Sequence, residues 1–128
     1  MSKKAKGFNI VAFQNLEDMV NDMEKSNKIY VVDAFKDWCG PTVVMEPALQ
    51  RIFVATDDAI ERLCFCTVDR SLLKGHPGLS KAPLSPELMS TCRPLYLLFK
   101  GKRLVGKVIG ANAPDISQVV HDVLIQES

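Results

Sequence analysis

The sequence has little net charge and no long apolar run. Its 128 residues include 16 Lys and Arg and 15 Asp and Glu, a formal charge of +1 at pH 7. Because proteins that bind nucleic acids or anionic membranes carry a basic excess, we expect neither partner. The apolar residues that follow the N-terminal lysines turn polar at Gln14 and Asn15. That run is too short for a secretory leader or a membrane span, so we predict neither.

Patterns that bind metals or cofactors are also missing. His76 and His121 stand apart from each other and from the cysteines, so no zinc-ligand spacing exists. The sequence contains neither a glycine-rich phosphate loop nor a nucleophile elbow. We therefore expect no metal and no cofactor. The four cysteines are Cys39, Cys64, Cys66 and Cys92. Without a leader, they indicate reduced thiols in a cytoplasmic compartment rather than a disulfide framework.

The sequence does contain the alternation of strands and helices typical of a single α/β domain, in which a central mixed sheet has helices on both faces. Short β-branched or apolar runs predict strands, and apolar residues at helical spacing predict helices. Three predicted strands are residues 8–13, 28–35 and 63–68, and two more flank a turn at Lys100-Gly101-Lys102. The predicted helices begin at Asn15, at Pro41 and near Pro114. Asn112 is the predicted cap of the last helix. Residues 69–94 are rich in proline and glycine and predict a long loop with short helical turns.

Two residues mark a candidate site at the end of the second strand. Asp33 lies within the near-continuous apolar run of residues 28–35, where a charged side chain is out of place. Cys39 lies just before the helix predicted from Pro41, and Pro47 is deep enough in that helix to kink it. Because unpaired amides at a helix start stabilise a thiolate, we expect Cys39 to be either a nucleophile or an anchor that holds a partner protein through a mixed disulfide.

Residues 31–49, VVDAFKDWCGPTVVMEPAL, resemble the active-site strand and helix of thioredoxins. The matching residues are Asp33, Trp38, Cys39, Gly40, Pro41 and Pro47. Further along the chain, Pro94 matches the family's cis-proline, and a strand, a hairpin and a helix follow it. The resemblance implies a thioredoxin fold, an α/β fold with a central mixed sheet and helices on both faces. It implies one domain, residues 1–128, with its core at about residues 8–126 and an insertion at about residues 75–90.

The sequence departs from the thioredoxin pattern at Phe35 and, more importantly, at Thr42, which replaces the second cysteine. Thioredoxin turnover needs a second thiol to release the substrate from a mixed disulfide, and Thr42 cannot supply one. Asp33 corresponds to the family's buried acid, and Phe65 stands where a lysine usually faces that acid. Because burial without a charged neighbour disfavours ionisation, we expect Asp33 to be a relict or protonated carboxyl.

A second group of matching residues surrounds Pro94. The resemblance makes Cys92 the one cysteine that could pair with Cys39, provided that their Cα atoms lie within about 7 Å. We favour the alternative, in which Cys92 is a surface thiol that contacts another protein. Arg93 either brings a positive charge near Cys39, is solvated, or contacts a partner. The candidate protein-binding surface comprises Trp38, Gly40, Pro41, Thr42, Cys92, Arg93 and Pro94.

Residues 91–114, TCRPLYLLFKGKRLVGKVIGANAP, resemble a narrower group. This group contains the thioredoxin-like light chains of axonemal outer-arm dyneins and the thioredoxin domains of thioredoxin and nucleoside diphosphate kinase fusion proteins. The matching residues are Cys92, Pro94, Gly110, Asn112, Ala113 and Pro114. The resemblance implies a protein of the ciliary or flagellar axoneme that binds a dynein heavy chain or intermediate chain, without dithiol turnover.

Two other functions stay open. One is a monothiol oxidoreductase that acts through Cys39, with glutathione releasing the product or Cys92 resolving the mixed disulfide. The other is a spliceosomal thioredoxin-like protein, whose corresponding motif is matched by Asp37, Trp38, Pro41 and Thr42. The C-terminal hairpin and residues 110–114 fit that protein poorly, so we rank it below the other two.

Overall fold

The computed structural model describes residues 5–126 as one sheet with helices packed on it. The strands are Ile10–Ala12 (β1), Ile29–Phe35 (β2), Leu63–Asp69 (β3), Leu95–Lys100 (β4) and Arg103–Ile109 (β5). The α-helices are Leu16–Lys25 (α1), Glu46–Ala55 (α2), Ala59–Arg62 (α3), Pro86–Ser90 (α4) and Ala113–Gln126 (α5). Short 3₁₀ turns cover Val43–Met45, Arg70–Gly75 and Pro77–Leu79. Within this part of the chain, each helix is too short or too polar to cross a bilayer.

The sheet is mixed, as the sequence predicts. Its strand order is β1-β3-β2-β4-β5. The pairs β1–β3 and β3–β2 are parallel, whereas β2–β4 and β4–β5 are antiparallel. Strand β2 is central and buried along its length except at Phe35, which explains its near-continuous apolar sequence. The turn that leaves β2 therefore starts from the centre of the sheet.

Two apolar cores lie on opposite faces of the sheet. On one face α2 and α5 pack on the sheet through residues that include Leu49, Phe53, Ile116 and Val120. On the other face α1 and residues 70–79 pack through residues that include Met19, Met23, Leu73 and Leu79. This arrangement confirms the α/β class with helices on both faces, since each face of a sheet must be buried against another layer.

Local signals placed most element ends correctly. The Asn15 side chain accepts a hydrogen bond from the amide of Asp18 at 2.8 Å, and α1 begins at the next residue. Asn112 caps α5 in the same way, through the amide of Asp115 at 3.2 Å. Gly101 has a φ of 60° in the β4–β5 turn, a conformation that glycine adopts without steric cost. The first strand is shorter than predicted, because residues 8 and 9 do not pair with the sheet.

The helix predicted from Pro41 is wrong at its start. Residues 43–45 form a 3₁₀ turn, and α2 begins at Glu46 with Pro47 in its first turn. Proline fits that position because its missing amide hydrogen would have no partner there, and it causes no kink. Cys39 therefore lies in a separate turn, seven residues before the helix, and not at the helix N-terminus.

The insertion that the sequence predicts after β3 packs partly into the protein. His76 is buried, and its ring lies 4.5 Å from that of Phe99 on β4. The Nδ1 atom of His76 accepts a hydrogen bond from the amide of Gly78 at 2.8 Å. Burial lowers the pKa of His76, and the positive charge of Lys102 adds to this effect. The beginning of the insertion is thus a fixed part of the second core.

Replacing Gly78 by alanine is expected to lower the free energy of unfolding by about 1–3 kcal/mol, the usual cost of overpacking. A Cβ atom there would lie 2.5 Å from the backbone oxygen of Lys102 and 3.0 Å from the Phe99 ring. Gly75→Ala is the matched control, because its Cβ would meet only Leu16 at 3.5 Å. Urea unfolding of both variants tests this, and equal midpoints would contradict the proposed close contact.

Candidate functional site

The candidate site begins in a tight turn after β2. The amides of Cys39 and Gly40 both donate to the carbonyl oxygen of Lys36, at 2.9 and 3.0 Å. Gly40 has a φ of 73°, which a residue with a side chain adopts only with strain. The turn leaves the side chains of Trp38 and Cys39 exposed. It thus presents the cysteine to solvent and to any partner.

Cys39 forms a disulfide with Cys92. Their Cα atoms are 5.9 Å apart, within the range that a disulfide spans. This finding corrects two expectations: that all four cysteines are reduced, and that Cys92 is a surface thiol for contacts with another protein. Both residues are exposed, so solvent reductants reach the bond. Cys64 and Cys66 are free thiols.

The peptide bond before Pro94 is trans, which corrects the cis-proline that the resemblance implies. Within residues 5–126 every peptide bond is trans, the lower-energy form for a residue before proline. The carbonyl oxygen of Pro94 accepts a hydrogen bond from the amide of Gly110 at 2.7 Å. Pro94 thus connects the loop that contains Cys92 with the end of β5.

Asp33 is buried beneath Thr42. It is 4% exposed, and its Oδ2 atom accepts a hydrogen bond from the Thr42 amide at 2.6 Å. The Thr42 hydroxyl donates to Oδ1 at 3.5 Å. Burial raises the pKa of Asp33, whereas the bonds from Thr42 and the charge of Arg70 act in the opposite direction. Thr42 therefore binds the acid at the position where the family has a second thiol.

A cavity of about 290 Å³ lies beside this carboxyl. Its walls include Asp33, Thr42, Phe65, Thr67 and Tyr96. Phe65 thus shares a wall with Asp33, as the resemblance implies, and supplies no charge to it. The hydroxyl of Tyr96 is buried in this wall. Burial and the charge of Asp33 raise the pKa of Tyr96, whereas the Thr42 side chain acts in the opposite direction, and the hydroxyl keeps its proton.

Asp33→Asn is expected to stabilise the protein at pH 7 by about 1–3 kcal/mol, the range found for buried polar groups. Because burial raises the pKa of Asp33 in the folded state, the unfolded chain loses this proton at a lower pH. Wild-type stability therefore falls as pH rises from the unfolded pKa of about 3.9 to the folded pKa. In Asp33→Asn, the side-chain oxygen can still accept the hydrogen bond from the Thr42 amide.

Urea unfolding from pH 4 to pH 8 measures this effect. The difference between Asp33→Asn and wild type should be small at pH 4 and should grow as pH rises. Asp57→Asn, at an exposed position, is the control and should follow wild type throughout. A difference between Asp33→Asn and wild type that does not change with pH would contradict the linkage.

Arg70 is a site residue that the sequence does not reveal. It is 1% exposed and donates four hydrogen bonds to backbone carbonyls. The acceptors are the carbonyl oxygens of Ala34, Leu88, Thr91 and Arg93. Burial lowers the pKa of Arg70, whereas the charges of Asp33 and Asp69 favour its charged form. An arginine after a strand is usually solvated, so the sequence gives no signal for this role.

Three large apolar residues close to Cys39 in the sequence are exposed. Trp38, Val43 and Val44 are 76%, 73% and 81% exposed, and we refer to these three residues as the Trp38 surface. The Nζ atom of Lys36 lies 4.8 Å from the centre of the Trp38 ring. The same atom donates to the carbonyl oxygen of Met89 at 3.0 Å. The lysine thus connects this surface to the loop that contains Cys92.

The predicted binding residues fall into two segments that the disulfide joins. Trp38, Gly40, Pro41 and Thr42 follow β2, whereas Cys92, Arg93 and Pro94 precede β4. The side chain of Arg93 is exposed, and its backbone oxygen binds Arg70. No three histidine, cysteine, aspartate or glutamate side chains cluster as metal ligands within residues 5–126.

Comparisons with known proteins agree with this architecture. The sequence is 32% identical over 114 residues to thioredoxin-3, mitochondrial, of Saccharomyces cerevisiae, covering 89% of this chain and 80% of that protein. It is 25% identical over 101 residues to the dynein 14 kDa light chain of the flagellar outer arm of Chlamydomonas reinhardtii. This alignment covers 79% of this chain and 70% of the light chain. The crystal structure of oxidized mitochondrial thioredoxin 3 from Saccharomyces cerevisiae aligns with a TM-score of 0.59 at 28% identity, over 88% of this chain and 94% of that one.

No protein-family model matches the sequence. The yeast thioredoxin and its structure confirm the thioredoxin fold that the sequence predicts, and the algal light chain confirms the resemblance to outer-arm dynein light chains. The chain belongs to the thioredoxin family.

Proposed function

We propose that this chain is a light chain of an axonemal outer-arm dynein in a cilium or flagellum, and that it binds a dynein heavy chain or intermediate chain. The Trp38 surface carries the proposal, because its three large apolar side chains lie within residues 38–44 and are all exposed, and exposed apolar side chains that lie close together mark protein-interaction sites. The similarity to the algal outer-arm light chain supports the identity of the partner.

The chemistry of the turn supports binding over local dithiol turnover. Thr42 occupies the position of the second thiol, and its amide and hydroxyl bind Asp33. A partner held near Cys39 therefore meets no thiol three residues further along the chain. The exposed tryptophan is a residue type that often contributes most of the binding free energy at protein interfaces.

A pull-down from axonemal extract with the tagged chain tests this proposal. Trp38→Ala and Val44→Ser are expected to lower recovery of the dynein chains at least about tenfold, the usual effect of losing an interface hot spot. Val54→Ser is the control, because Val54 is 70% exposed on α2, outside the Trp38 surface. Equal recovery by Trp38→Ala and wild type, or no dynein chain in either eluate, would refute the proposal.

The disulfide favours a second candidate function, thiol–disulfide exchange through Cys39 and Cys92. The Cys39 thiolate would attack a disulfide of a partner protein and release one partner thiolate. The Cys92 thiolate would then attack Cys39 in the mixed disulfide, releasing the second partner thiolate and forming the Cys39–Cys92 bond. A dithiol reductase or two glutathione molecules would return the pair to its reduced form.

Insulin reduction driven by thioredoxin reductase tests the second function. Turnover by wild type that is lost in Cys92→Ser supports it, whereas a wild type without turnover contradicts it. Glutathione in place of the reductase separates the monothiol route, because that route survives in Cys92→Ser. The spliceosomal alternative stays a hypothesis, which nuclear rather than ciliary staining would favour.

A further inference from the structure

We propose that Arg70 is the positioning residue of the Cys39–Cys92 pair. It holds residues 88–93, here called the Cys92 loop, in the place where Cys92 meets Cys39. The disulfide is consequently harder to reduce than it would be with a free loop. This inference concerns the pair itself and applies to both proposed functions.

The hydrogen bonds of Arg70 join the two segments that contain the cysteines. Its Nε atom donates to the carbonyl oxygen of Ala34 at 2.7 Å, on the strand that leads into the Cys39 turn. The two terminal nitrogens donate to three carbonyl oxygens of the Cys92 loop. These are the oxygens of Leu88 at 2.5 Å, Thr91 at 2.8 Å and Arg93 at 2.9 Å. Two of these acceptors, Thr91 and Arg93, are the residues on either side of Cys92.

Arginine suits this task for a geometrical reason. Its planar guanidinium group has five N–H donors in fixed directions, whereas the lysine ammonium is a compact charge with three donors. The three guanidinium nitrogens of Arg70 donate to four carbonyl oxygens, an arrangement that the fixed directions of these donors allow. Because Arg70 is 1% exposed, these contacts are shielded from competing water. Arg70 also directly follows β3, so its backbone starts from the sheet.

The position of the Cys92 loop determines the disulfide equilibrium. When the disulfide is reduced, the Arg70 bonds still hold the Cys92 thiol near Cys39, so re-forming the bond costs little loop entropy. Without those bonds, we expect the effective concentration of one thiol at the other to fall about 10–100-fold. For this two-electron couple, that fall makes the reduction potential less negative by about 30–60 mV.

The charge of Arg70 has the opposite effect. A nearby positive charge stabilises thiolates and therefore the reduced form. Losing the charge alone would make the potential more negative. The sign of the shift in reduction potential thus separates an effect of loop positioning from an effect of charge. Arg70→Lys keeps the positive charge but loses the planar set of guanidinium donors.

Redox titration in glutathione buffers, with peptide-resolved alkylation of Cys39 and Cys92, measures the potential. We expect a shift of about 30–60 mV to less negative values in Arg70→Lys, and a smaller shift of the same sign in Arg70→Met, because the lost charge opposes it. Leu73→Ala is the matched control, because Leu73 is fully buried in the same 3₁₀ turn and packs in the second core. Its potential should equal that of wild type. Circular dichroism in each buffer confirms that the variants are folded.

The reduction potentials of the variants decide whether Arg70 acts by positioning the Cys92 loop. A wild-type potential in Arg70→Lys together with a more negative one in Arg70→Met would show that Arg70 acts through charge, and would overturn the inference. An equal shift in Leu73→Ala would show a general loss of stability and would also overturn it. If both Arg70 variants fail to fold, Arg70→Gln, which keeps a planar amide group with two N–H donors, is titrated in their place. A shift to less negative values then supports the inference, and a wild-type or more negative potential rejects it.

Discussion

Reduction of the Cys39–Cys92 disulfide is expected to lower the free energy of unfolding by about 4 kcal/mol. The two cysteines are 53 residues apart in the sequence. A cross-link across so long a loop removes much of the conformational freedom of the unfolded chain, and the chain-entropy relation gives about 4 kcal/mol for this length. The native state changes little, because the Arg70 bonds hold the Cys92 loop whether or not the sulfurs are joined.

Urea unfolding with and without a strong reductant measures this difference. The Cys39→Ser, Cys92→Ser double variant is the control, and its midpoint should not respond to reductant, since Cys64 and Cys66 are already free thiols. Wild type without reductant should unfold at a clearly higher urea concentration than this variant. Coincident curves for oxidised and reduced wild type would show that the disulfide does not stabilise the fold, and would contradict this prediction.

Features that depend on neighbouring residues could be predicted from the sequence. The caps at Asn15 and Asn112 each act on an amide three residues away, so the local sequence contains the whole interaction. The buried strand β2 and the turn at Gly101 are local in the same sense. The order of such elements was then sufficient to predict a mixed sheet with helices on both faces.

The features that were missed depend on distances between remote parts of the chain. Arg70 binds carbonyl groups 18 to 36 residues away in the sequence, and a carbonyl acceptor leaves no trace in residue type. The pairing of Cys39 with Cys92 required a distance that the sequence does not contain. The start of α2 was missed for another reason: Pro41 and Pro47 both suit a first helical turn, and only the structure selects Pro47.

With Thr42 in place of the second cysteine, a different part of the chain positions the sulfur that pairs with Cys39. Two cysteines in one turn are positioned by that turn, so their reactivity is a local property. Here the second sulfur comes from the Cys92 loop, which Arg70 and Lys36 hold through backbone carbonyls. A partner that moves this loop would change the redox state of the pair. Trp38 belongs to the same turn and contacts Lys36, so the proposed partner binding and the proposed thiol exchange would share one structural support.

Arg70→Met is expected to lower the free energy of unfolding of the oxidised protein by about 3–5 kcal/mol, because several buried carbonyls lose their donor. In the reduced protein the loss should be smaller by up to about 2.8 kcal/mol, which is the free-energy equivalent of a 100-fold change in the disulfide equilibrium, because the lost charge offsets part of the lost positioning. The disulfide stabilises the native state only as far as its ends are held close together, so removing Arg70 weakens its effect.

A double-mutant cycle between Arg70→Met and reduction of the disulfide measures this coupling from four urea unfolding curves. Leu73→Ala should cost a comparable amount, about 2–5 kcal/mol, but equally in the oxidised and reduced proteins, because Leu73 packs in the second core and not on the Cys92 loop. If the losses caused by Arg70→Met are also equal in the two redox states, Arg70 stabilises the fold without positioning Cys92. A coupling found for Arg70 alone would show that one buried guanidinium group links the stability of the loop to the chemistry of the sulfur pair.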